Sequence, residues 1–88
     1  MMPYYVYILK SDFDGSYYKG FSENYKRRLV QHNEGECNYT STKLPWRMVY
    51  FEEHRSKRLA LIREKNLKKA TTDRIEGLIN SAKNLMNK

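Results

Sequence analysis

Among the side chains able to do chemistry in this sequence are two phenols, Tyr7 and Tyr18, an arginine and a histidine one helical turn apart, Arg28 and His32, and a carboxylate, Glu64. A phenol, with a reference pKa of about 10, is a poor base at neutral pH unless nearby cations lower it, and Arg28 with Lys19 could do so. A guanidinium presents a rigid fork of donors that matches an oxyanion. An imidazole, with a reference pKa of about 6.5, can exchange protons near neutrality. A carboxylate is a hard oxygen ligand suited to magnesium. The plainer alternatives are an ion-paired or solvated Arg28, a hydrogen-bonded core His32, and a Glu64 held in a structural ion pair, with Arg28 as a candidate partner.

The elements that must position these groups follow from pattern. Tyr4 to Lys10 and Ser16 to Phe21 are rich in aromatic and β-branched residues, and Asp14-Gly15 lies between them, so a β-hairpin is expected. With a loop at Ser11 to Asp14, Tyr7 falls opposite Tyr18 and both phenols share one surface. Ser22 or Asn24 caps a helix through Asn33, on which Tyr25, Arg28, Leu29 and His32 line one face. Cys37 to Leu44 reads as a loop. Pro45 then opens a third strand through Phe51, with Trp46, Met48 and Tyr50 facing one way and Arg47, Val49 and Phe51 the other. Ser56 caps a helix through Lys69 carrying Leu59, Ala60, Leu61, Ile62 and Leu67, with Glu64 bordering that apolar side. After a break at Ala70-Thr71-Thr72, a strongly amphipathic helix is expected over 72–87. Its apolar stripe packs on the sheet or, alternatively, forms a homodimer or protein-partner interface.

The two tyrosine segments, Val6-Tyr7-Ile8 and Tyr18-Lys19-Gly20, resemble the paired tripeptides of the GIY-YIG nuclease superfamily. Arg28, His32 and Glu64 stand where that family keeps its remaining site residues. Further likeness, in His32-Asn33-Glu34-Gly35, Tyr39-Thr40 and Pro45-Trp46-Arg47-Met48-Val49-Tyr50, is to small single-domain proteins related to the N-terminal nuclease domain of UvrC, a DNA-repair protein. The resemblance covers roughly residues 4–69. It implies an α+β fold in which a three-stranded antiparallel sheet is packed with helices in the order β-β-α-β-α-α. It also implies a metal-dependent endonuclease: Tyr7 or Tyr18 takes the proton of the attacking water, Arg28 stabilises charge on the phosphate, His32 bonds a tyrosine or the phosphate, and Glu64 holds Mg2+ or Mn2+. Lys19 and Phe21 depart from the family pattern. They motivate a second expectation, a nucleic-acid-binding module on the same scaffold with weak or no catalysis.

Composition bounds the rest. At 88 residues the chain makes one domain, and its 40% hydrophobic and 14% aromatic content supports a core. The net charge of +7 is uneven: residues 1–54 hold seven basic and seven acidic groups, and residues 55–88 hold ten and three. Such a field favours polyanions, DNA foremost. Candidate phosphate contacts are Lys19, Thr40, Lys43, Arg63, Lys65, Lys68 and Lys69. The single Cys37 excludes an internal disulfide and fits a reducing cytoplasm, and no apolar run is long enough to span a bilayer.

Overall fold

Four consecutive residues, Val6 to Leu9, are 1% exposed or less, so the strand that carries them must be covered on both faces. The computed structural model, which describes residues 3–87, shows how. Strand β1 (Tyr4–Ser11) is central in an antiparallel sheet ordered β2-β1-β3, with β2 at Tyr17–Ser22 and β3 at Trp46–His54. Helix α1 (Tyr25–Asn33) precedes β3, and α2 (Lys57–Lys68) and α3 (Thr72–Ile79) follow it, giving the α+β order β-β-α-β-α-α. Short 3-10 turns lie at Thr40–Lys43 and Leu85–Asn87.

Alternation along β1 divides the core. Val6 and Ile8 pack with Tyr50, Ala60, Leu67 and Ile75 under α2 and α3. Tyr7 and Leu9 pack with Trp46, and with the partly buried Tyr18, Tyr25 and Leu29, under α1. The helix starts are those expected from side-chain capping: Asn24 accepts from the Arg27 amide at 3.0 Å and Ser56 from the Leu59 amide at 3.2 Å. Gly35, with φ +77°, turns the chain out of α1. Full burial of Leu67 and Ile75 is worth about 1.5–3 kcal/mol each.

Four local expectations are corrected. Tyr7 pairs with Gly20, and Tyr18 with Leu9, because the ladder closes at Lys10 and Tyr17 and the connection is longer than a four-residue loop. The phenols are therefore diagonal neighbours on one face. In β3, a bulge shifts the register between Ile8, which faces Tyr50, and Leu9, which faces Met48. Tyr50 thus leaves the face of Trp46 and Met48, and Phe51 joins it. The Cys37 to Leu44 loop includes a 3-10 turn. The segment over 72–87 is not one helix: α3 stops at Ile79, whose carbonyl accepts from Asn84 and Asn87 side chains at 2.8 and 3.1 Å. Buried Asn84 also donates to the Val49 carbonyl, tying this tail to the bulged strand.

Candidate active site

Tyr7 is held by what is missing beside it. Its ring lies across Gly20, where a Cβ would stand 2.6 Å from Tyr7 Oη, 2.7 Å from its Cζ and 3.1 Å from Tyr18 Cε2. Only glycine permits that approach. His32 comes up from α1, fully buried, with Nε2 at 3.2 Å from Tyr7 Oη and Nδ1 at 2.9 Å from Thr40 Oγ1. The Tyr18 ring meets the imidazole edge-on at 4.7 Å, and the two tyrosine rings are 6.4 Å apart.

Arg28, one turn before His32, donates from Nη1 to Gln31 Oε1 at 2.9 Å. Its positive charge lowers the pKa of both phenols but does not prevail. Burial pushes Tyr7 up to about 12, with Tyr18 and Glu64 adding to the rise, and burial likewise raises Tyr18. The expected activation by cations is thus not realised in the resting protein, because desolvation outweighs Arg28 and Lys19 faces the other side of the sheet, paired with Ile8. Burial first and Arg28 second push His32 down to about 4, so the imidazole is neutral at pH 7.

Glu64 stands on α2, the helix that covers the Val6 and Ile8 face of the sheet. It follows Ala60 by four residues and precedes Leu67 by three, so it shares the stripe that α2 turns to the sheet, and its side chain is 16% exposed. Its charge raises both phenols. Among the described residues no ion pair joins Glu64 to Arg28; a loose contact at 3.8 Å joins it to Lys68. Tyr7, Tyr18 and His32 therefore form one packed group beside Gly20, with Arg28 one helical turn from His32, and Glu64 is linked to that group through the effect of its charge on both phenols. Among the described residues no three His, Cys, Asp or Glu groups cluster, so any metal here would rest on Glu64 with water and substrate oxygens.

The predicted phosphate contacts fare unevenly. Thr40 is fully buried against His32 and is corrected from a substrate contact to a support of the imidazole. Arg63 is taken up by Glu52, with Nε 2.9 Å from the carboxylate, in a cluster with Tyr50 and His54 away from the phenols. Lys43 pairs with Asp14 at 2.7 Å. Lys65 and Lys68 on α2 and Lys69 at its C-terminal cap are exposed, and Lys19 is partly buried. Sequence reasoning missed a cleft of about 410 Å³ beside Arg28, lined by Arg27, Gln31, Ser22, Lys57 and Tyr4 among others. Its sequence signal was available: Lys57 precedes Glu64 by seven residues, two turns along the same helical stripe.

A family model described as the GIY-YIG catalytic domain matches residues 3–77. A UPF0213 protein of Clostridium perfringens is 42% identical over 78 residues, covering 88% of this chain and 83% of its own. One of Lacticaseibacillus paracasei is 39% identical over 74 residues, covering 83% and 82%. The solution NMR structure of a UPF0213 protein from Bacillus halodurans superposes with a TM-score of 0.60 at 31% identity, covering 97% and 90%. Among the described residues no helix is long and apolar enough to cross a membrane.

Proposed function

Because this chain belongs to the GIY-YIG catalytic-domain family, we propose that it is a metal-dependent endonuclease that hydrolyses phosphodiester bonds in DNA or another structured nucleic acid. The observation that supports this reading is the buried group of Tyr7, Tyr18 and His32 packed beside Gly20, with the charges of Arg28 and Glu64 both acting on the two phenols. The substrate backbone lies in the cleft beside Arg28, with Arg27 and Lys57 on flanking phosphates. Arg28 faces the oxygens on which charge develops. Tyr7 takes a proton from the attacking water as its own hydroxyl proton passes to His32 Nε2, so the charge ends on an imidazolium and no buried phenolate has to form. An incoming phosphate anion offsets the burial and the Arg28 charge that keep His32 neutral in the free protein. Tyr18 orients water or phosphate. Glu64 fits a divalent cation of the magnesium or manganese type, being a shielded hard-oxygen donor without a tight cationic partner. When bound, the ion supplies charge neutralisation at the leaving oxygen.

The raised phenols and the depressed imidazole favour a second reading, a binding module whose chemistry is idle. Cleavage of duplex, branched and single-stranded DNA and of RNA, with magnesium, manganese or EDTA, separates the two. On the nuclease reading Glu64→Gln abolishes metal-dependent cleavage and keeps binding, and Tyr7→Phe costs about 10²- to 10⁴-fold in turnover. Binding without cleavage by the wild type under every condition leaves the module.

A further inference from the structure

The Tyr7–His32 pair has its proton direction set from behind. We propose that Thr40 is a positioning residue which fixes His32 as the Nδ1–H tautomer, leaving Nε2 free to accept the Tyr7 proton. The inference rests on the nuclease reading for its consequence, though not for its geometry. A neutral imidazole has one donor and one acceptor nitrogen, and the hydrogen-bond chain decides which. Tyr7 Oη is buried, and among the described residues its hydroxyl proton has one acceptor, His32 Nε2 at 3.2 Å. On the far side, Thr40 Oγ1 lies 2.9 Å from Nδ1 and donates its own proton to the Cys37 carbonyl at 3.3 Å. Thr40 then accepts from Nδ1–H. With the opposite polarity, Nε2–H would point at Tyr7 Oη and the phenol proton would be stranded in a buried position, which costs free energy.

Thr40 is itself pinned. Its backbone carbonyl accepts from Trp46 Nε1 at 2.8 Å, and Trp46 is 3% exposed at the entrance of β3. The 3-10 turn at Thr40–Lys43 is therefore tied to the sheet at both ends, through this indole and through Ser11 Oγ, which donates to the Lys43 carbonyl at 2.7 Å, and the threonine hydroxyl is held against His32. A substrate contact from Thr40 would require breaking this arrangement.

The test is a ring-nitrogen NMR experiment on the wild type, Thr40→Ser and Thr40→Val, read beside cleavage kinetics. The wild type and Thr40→Ser are expected to show His32 as one Nδ1–H tautomer at pH 7, and Thr40→Val to shift it towards the Nε2–H form or a mixture. Turnover of Thr40→Val should fall about 10- to 100-fold with KM unchanged, and serine should restore it. A wild-type Nε2–H tautomer, or an unaltered Nδ1–H signal in Thr40→Val, overturns the proposal; Thr40→Ala, which removes the hydroxyl and adds no volume, gives the same reading if the valine protein fails to fold. If the tautomers behave as expected but no protein cleaves nucleic acid, the relay stands and the nuclease reading fails.

Discussion

Gly20→Ala adds one methyl group at the most constrained point of the site. The new Cβ would stand 2.6 Å from Tyr7 Oη and 2.7 Å from Cζ, whereas carbon packs comfortably at about 3.5–4.0 Å, so the ring must rise by about 1 Å. It has nowhere free to go. Tyr7 is 1% exposed, Tyr18 Cε2 is 3.1 Å from the same Cβ, and the hydroxyl is bonded to His32 at 3.2 Å. Overpacking of this kind costs about 1–3 kcal/mol, and losing the hydroxyl's partner adds about 1 kcal/mol or more. At roughly 4–8 °C per kcal/mol for a domain of this size, the midpoint of thermal unfolding should drop by about 10–30 °C. Circular dichroism melts measure it, with Gly77→Ala as the control: that glycine lies in α3, a Cβ added there would meet no atom within 4 Å, and alanine should stabilise by about 0.5–1 kcal/mol. A Gly20→Ala protein that melts within about 2 °C of the wild type and retains the Tyr7–His32 bond by NMR would refute the steric argument.

Three further outcomes follow from the same physics. His32 has a folded pKa of about 4 against about 6.5 unfolded, so below pH 6.5 the unfolded chain binds a proton that the folded one refuses. Stability from this group is complete above pH 6.5 and falls by up to about 3 kcal/mol on acidification to pH 4; urea titrations of His32→Gln should show a flatter slope across that window. Glu52→Gln removes the carboxylate shared by Arg63, Tyr50 and His54, leaving a largely buried guanidinium unpaired, and should destabilise by about 3–5 kcal/mol in denaturant unfolding, while Glu53→Gln, on the exposed side of the strand, should not. Arg27→Ala with Lys57→Ala should reduce the salt dependence of DNA binding by about 0.9 for each phosphate no longer neutralised, and an unchanged slope would move the backbone path to Lys65, Lys68 and Lys69.

What was legible in the sequence was whatever depends on near neighbours. Asn24 and Ser56 cap helices by reaching three residues ahead, and Tyr25, Arg28, Leu29 and His32 share a face because helical geometry requires it. The hairpin was legible, but its register was not, since Gly20 and not Tyr18 is what the Tyr7 ring can lie across. The bulge in β3 depends on β1 and so could not be read from β3's own alternation. Thr40, in a polar run, reads as exposed; its burial depends on His32 and on Trp46 six residues on. Asn80 to Asn87 carry an apolar period that suggests helix, yet asparagine side chains cap Ile79 and end it.

Strand β1 belongs to both halves of the core, Val6 and Ile8 to one and Tyr7 and Leu9 to the other. Its amides can exchange with solvent deuterium only when both layers separate, so their protection should report the global unfolding free energy. Tyr7 is thereby mounted on the segment expected to exchange slowest. On the proposed nuclease reading, access to Tyr7 would depend on α1, which covers its face, because a drift of the strand itself out of place would amount to unfolding.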